Sequence, residues 1–296
     1  MTEWDHVSCL TIVEIGDSNI EEPIVGETCV NNGFVTSEDV LEAIRQFENT
    51  EISHLNNRSS FFFEFIPSCC CFLSHKVLKT KQNTEKETLI RIAGEQFDNN
   101  NEFHLKCLFT IYSKLSGDIA KGQRRFGSHW EEIGFQGSDP ATDFRGVGLL
   151  GLLQLCHFVI DPESTSLCFD IYQLSMNQTQ HFPLAVMSIN ITQISLQTLK
   201  KSYLNRAIAE SNSSVYTVFH QFYISTFRKF YFRWKTENKT ITDTGYVLQD
   251  LRENSKKNSR ELLQNIRILH KKPKSTRSIE NMKQEIEFSN IGTILD

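Results

Sequence analysis

From Thr84 to Leu269 apolar residues recur at spacings of three and four, and no stretch alternates apolar and polar residues between turns. That pattern confines the chain to an all-α fold. Thr84 to Asp98 sets Leu89, Ile92, Ala93 and Phe97 on one face, with Thr84 and Glu87 spaced as a capping box. Glu102 to Ser116 carries a wide apolar face from Phe103 to Leu115, and Gly117 and the basic run Lys121 to Arg125 end it. Val147 to Ile160 is the most apolar segment. Pro162 suits the first turn of a helix through Leu167, Phe169, Ile171 and Leu174. After Pro183 a long helix is expected to run toward Ile208. An aromatic helix follows from Val215 to Trp234, and a last one from Tyr246 to Leu269.

The flanks differ in composition. Residues 1–60 contain twelve acidic residues against Arg45 and Arg58, a net charge of −10, with few apolar side chains. Such a segment buries too little apolar surface to offset chain entropy, so it is expected to be mostly disordered, with a short acidic helix at 37–48 as an option. Residues 61–83 form an apolar, cysteine-rich strap or linker, with Cys69, Cys70 and Cys71 contiguous. The strap reads either as packing onto the domain or as a lipidated, membrane-proximal patch. Residues 84–270 form the helical domain, and 271–296 a polar tail.

Several function classes drop out. A net charge of −5 gives no basis for nucleic-acid binding. The acidic start lacks the basic and apolar regions of a secretory signal, and the longest apolar run is too short and interrupted to span a bilayer. The expectation is a cytoplasmic chain, either free or in peripheral contact with membrane or cytoskeleton. The eight cysteines show neither CxxC pairs nor a disulfide framework. Gly146, Gly148 and Gly151 spell G-x-G-x-x-G by letter, but no strand precedes them and the intervening leucines belong to a buried helix. No serine sits in a nucleophile elbow. Among the nine histidines no metal-ligand spacing is apparent, and His129 and His157 read as core or interface residues.

What remains is Arg145, set where a turn rich in glycine and proline meets the apolar segment. Arginine carries a fixed charge and five donors in a planar fork, which suits charge developing on a transferring phosphoryl group. Asp139, Pro140, Thr142 and Asp143 limit backbone freedom before it, and Gly146 and Gly148 leave room for a partner's surface. Trp130, Ile133, Phe135 and Phe144 read as core around the loop. The competing reading buries Arg145 in an ion pair with Asp143, Glu131 or Glu132.

The ordered run Trp130, Ile133, Gly134, Phe135, Gln136, Gly137, Asp139, Pro140, Thr142, Asp143, Phe144, Arg145, Gly146, Gly148 and Leu150 resembles the signature of the ELMO domain in the ELMO domain-containing family. The resemblance covers roughly residues 96–262. It implies a single multi-helix domain that activates GTP hydrolysis by Arf-family and Arf-like small GTPases. The arginine of its DFRG segment, here Arg145, is the implied arginine finger. The chain then needs no cofactor of its own, since GTP and Mg²⁺ reside on the GTPase. Gln136, Asp139, Pro140, Thr142, Asp143 and Gly146 shape the loop or contact the GTPase. The alternative is an adaptor that binds a small GTPase, or a cytoskeletal or membrane partner, without accelerating hydrolysis.

Overall fold

A computed structural model describes residues 33–55 and 77–263, and these are helical with no strand among them. Ten α-helices follow in order: α1 (Ser37–Leu55), α2 (Thr80–Ile92), α3 (Glu102–Ser116), α4 (Ile119–Gly122), α5 (Gly148–Ile160), α6 (Thr165–Ser175), α7 (Leu184–Lys200), α8 (Asn205–Glu210), α9 (Val215–Thr236) and α10 (Thr244–Lys257). Two 3₁₀ turns, Ser128–Ile133 and Pro140–Gly146, lie between α4 and α5.

Helix α5 is apolar on all sides, and a helix of that kind must be surrounded. Leu150, Leu152, Leu153, Leu155, Cys156 and Phe158 are all fully buried. Helices α3 and α7 pack against α5; α9 packs on α7, and α10 closes over both α7 and α9. The α9 stripe predicted from its aromatics is in the core through Phe219, Phe222, Phe227, Phe230 and Trp234. No single helix among the described residues is long and apolar enough to cross a membrane.

Expectations change at four places; the last helix, expected to reach Leu269, ends at Lys257, and three changes lie earlier in the chain. The first concerns the acidic segment, where the optional short helix at 37–48 is present, runs on to Leu55 and packs on α2 and α5, while residues 1–32 and 56–60 lie outside the described residues. Val40 and Ile44 bury against the core, and the Val35 amide donates to Thr110 Oγ1 at 3.0 Å. Thr36 and Asp39 cap the helix reciprocally, through Thr36 N to Asp39 Oδ2 at 2.8 Å and Asp39 N to Thr36 Oγ1 at 3.2 Å. The α1 helix therefore belongs to the domain. Second, α2 begins at Thr80, so Thr84 lies inside it and bonds the Thr80 carbonyl instead of capping. Third, the helix after Pro183 stops at Lys200. Ser202 turns left-handed (φ 63°), and α8 is a separate short helix, so the chain does not continue straight to Ile208. Residues 61–76 of the expected strap at 61–83, the cysteine triplet among them, and the polar tail at 271–296 lie outside the described residues.

A candidate arginine-presenting site

The two 3₁₀ turns and the loop between them stand on an aromatic base. Trp130 is fully buried, edge-on to Tyr112 (5.3 Å between centroids) and to Phe135 (5.8 Å), and Phe135 meets Phe144 edge-on at 5.7 Å. These are preferred aromatic geometries, and they lock both turns to α3 and α5. Ile133 is buried with them, as the sequence predicts for all four apolar residues.

Two glycines seat the loop. Gly134 (φ 87°) lies against the first residues of α7, where its carbonyl accepts from the Val186 amide at 3.0 Å. Gly148 (φ 53°) is pressed against the Ala93 and Glu95 carbonyls, and the Leu149 amide donates to Glu95 O at 2.8 Å. Gly148 therefore leaves no room for a partner, contrary to the sequence expectation; it is spent on internal packing. Gly146 is exposed.

Asp139 caps the second turn, with its Oδ1 accepting from Ala141 N at 2.9 Å and its carbonyl from Thr142 Oγ1 at 2.8 Å. Pro140, buried at the first turn position, fixes the backbone there. Asp143 is also buried and points back into the loop, accepting from the Gln136 amide at 2.7 Å. Pro140 and Asp143 thus shape the loop from inside and offer a partner little surface. The side chains of Gln136 and Thr142 belong to exposed residues.

Arg145 itself is exposed. Its Nε donates to the Thr142 carbonyl at 2.8 Å, and the two terminal nitrogens make no hydrogen bond among the described residues. It forms no ion pair there with Asp143, Glu131 or Glu132, so the buried-pair arrangement is absent. Glu132 is already engaged by Lys121 Nζ (2.8 Å) and Tyr112 OH (2.7 Å), which hold its carboxyl below the usual range.

Burial pushes the Asp143 carboxyl up to about 6 from the usual 3.8, against the opposing Gln136 amide and Arg145 charge. A raised carboxyl binds its proton more tightly in the folded state, so this stabilisation is complete below about 4 and is lost as pH rises through about 6. Asp143→Asn keeps an acceptor for the Gln136 amide and cannot ionise. The variant is expected to gain stability relative to the parent as pH rises from about 4 to about 7, read as the difference in Tm across that range.

The sequence reading missed Arg125, a member of the basic run. Its side chain is only 10% exposed. Nε donates to Asn99 Oδ1 and Nη2 to Asp139 Oδ1, both at 2.7 Å, and its guanidinium lies over the Phe97 and Phe126 rings at 4.7 and 4.4 Å. Its carbonyl accepts from Trp130 Nε1 at 3.1 Å.

A cluster with metal-ligand side chains, which the histidine spacing does not announce, lies where α5 meets α9. His157 and Asp161 lie four residues apart on and just after α5, and α9 brings His220 to them. Both His220 nitrogens are engaged, one by Gln154 and the other by Asp161 Oδ2 at 3.2 Å, and His157 Nδ1 pairs with Tyr216 OH at 2.9 Å. The two rings stack at 4.0 Å, only 21° from parallel. In-plane lone pairs of near-parallel rings do not converge on one ion, so the cluster in this geometry is a hydrogen-bonded core network. Burial, and then the neighbouring His220, push His157 down to about 3, which keeps it neutral.

The fold and loop together define an all-α domain that presents one arginine from a rigid turn. The chain belongs to the ELMO/CED-12 family, whose model matches residues 87–248, more than half of the sequence. It is similar to ELMO domain-containing protein 3 of Bos taurus, with 40% identity over 185 residues, covering 62% of this chain and 47% of the relative. The Mus musculus counterpart is 35% identical over 231 residues, 76% of this chain and 59% of its own length. ELMO domain-containing protein 2 of Bos taurus is 34% identical over 152 residues, half of this chain. The chain spans about half the length of the curated relatives it matches. No solved structure matches it.

Proposed function

We propose that this protein is a GTPase-activating protein for an Arf-family or Arf-like small GTPase and that it acts by inserting Arg145 beside the γ-phosphoryl group. The observation that carries this reading is the disposition of Arg145: exposed, held at Nε by a backbone carbonyl, with both terminal nitrogens unspent among the described residues. A guanidinium so held loses little freedom on meeting phosphate oxygens, and its planar fork matches them. Supplied in trans, such an arginine raises GTP hydrolysis by roughly 10³–10⁵. Nucleotide and Mg²⁺ belong to the GTPase, so on this reading the chain contributes a side chain and brings no cofactor. It works in the cytoplasm or at a membrane surface where the GTPase resides. Membership of the ELMO/CED-12 family supports the same assignment, because the matched residues include the whole arginine loop.

The test is single-turnover GTP hydrolysis on a panel of Arf-family and Arf-like GTPases with the full chain in excess. Acceleration of at least ~10²-fold on one or more members is the expected result. A GTPase that binds the chain and still hydrolyses at its intrinsic rate would establish the adaptor in its place.

A further inference from the structure

We infer that Arg125 is a positioning residue for Arg145, setting the register of the turn from which the finger projects. This rests on the proposed activity and extends it to a residue outside the arginine loop. The two arginines are joined by a short chain of bonds. Arg125 Nη2 holds Asp139 Oδ1 at 2.7 Å, and the same carboxylate caps the turn at Ala141 N. The Asp139 carbonyl accepts from Thr142 at Oγ1 (2.8 Å) and N (3.2 Å), and the Thr142 carbonyl accepts from Arg145 Nε at 2.8 Å.

Arg125 is itself immobilised. Asn99, at the end of the α2–α3 connection, fixes its Nε, and two aromatic rings hold its plane. Its third nitrogen, Nη1, is buried and makes no hydrogen bond among the described residues, so the two bonded nitrogens and the rings hold the group. A lysine ammonium has one donor centre and no plane. It cannot reproduce the two-nitrogen fork that holds Asn99 and Asp139 while its plane stacks on both rings. Asp139 would then keep its cap and lose its outer anchor. The finger would be delivered from a looser turn, and a misplacement of the order of 1 Å costs up to about 100-fold in rate.

The proposal separates rate from docking. With the full chain and a GTPase that it activates, single-turnover hydrolysis is measured against chain concentration for the parent, Arg125→Lys, Asp139→Asn, Arg145→Ala and the double variant Arg125→Lys/Arg145→Ala. Asparagine at 139 preserves the acceptor for Ala141 and removes the charge that Arg125 holds. It therefore gives a second reading should the lysine variant melt early by circular dichroism. The expected result is a maximal rate at least ~10-fold lower for Arg125→Lys and Asp139→Asn, with half-saturation changed by less than about threefold. Once Arg145 is alanine, Arg125→Lys should subtract almost nothing more, since its effect passes through the finger. A maximal rate retained in both single variants overturns the proposal. So does an equal fractional loss with and without Arg145, which would mark Arg125 as a general structural residue. Loss in Arg145→Ala with full rate in the other two sinks only the positioning role. Undiminished stimulation by Arg145→Ala removes the finger reading and this inference with it.

Discussion

Arg145→Ala is expected to lose at least ~10²-fold in stimulated GTP hydrolysis, about 3 kcal/mol of transition-state stabilisation, while binding of the GTPase changes little. The separation follows from where the side chain is tied. Its one hydrogen bond among the described residues is an exposed contact to the Thr142 carbonyl, so truncation leaves no buried group there unpaired. Helicity and Tm should match the parent. An arginine buried against Asp143 or Glu132 would behave in the opposite way, because removing one partner strands the other charge. Arg145→Lys restores the charge without the fork and should recover only a small part of the rate. Single-turnover measurements on the three proteins, each with a melting curve, decide the matter. Equal stimulation by all three would show that the loop merely docks. A lowered Tm in the alanine variant would show that Arg145 is part of the scaffold.

How much of this was visible in the sequence depended on whether the deciding contacts were local. Helix α3 was legible to the residue, because Asn101 caps it, Gly117 ends it in a left-handed turn, and its apolar face repeats between them. Arg145 was legible as a candidate, because glycine, proline and capping residues lie within six positions of it. Helix α1 was legible only as an optional short helix at 37–48; its full length and its place in the core were not, since its stabilisation comes from across the chain: Val35 bonds Thr110, and Val40 and Ile44 bury in a core that the acidic composition gives no hint of. Arg125 was hidden for the same reason. A basic run reads as solvated, and only the fold brings Asn99, Asp139 and two rings to one guanidinium. Half of the histidine network was within reach, because His157 and Asp161 are one helical turn apart, but His220 arrives from α9. The left-handed Ser202 that splits α7 from α8 carries neither glycine nor proline to announce it.

Gly134→Ala should be the most damaging small substitution in the loop, and its comparison with Gly137→Ala isolates the reason. Both glycines are left-handed, at φ 87° and 74°. An alanine at either costs about 1–2 kcal/mol for the backbone alone. At Gly137 nothing lies within 4 Å of the added methyl, so the cost should stop there. At Gly134 the methyl would sit 2.2 Å from the Leu184 nitrogen and 2.5 Å from the Pro183 carbonyl carbon, both backbone atoms that cannot turn aside. The loop must lift from α7, giving up the Gly134–Val186 hydrogen bond and loosening Phe135, which packs between Trp130 and Phe144. A total loss of about 3 kcal/mol or more is expected, lowering Tm by about 5–10 °C. Gln136 lies two residues on, and its amide anchors Asp143, so the movement reaches the turn that carries Arg145. Stimulated hydrolysis should therefore fall well below the parent even at temperatures where Gly134→Ala remains folded, whereas Gly137→Ala should keep its rate. Two variants that melt together would mean that the loop does not depend on its seat against α7, and the rigidity argued for the finger would go with it.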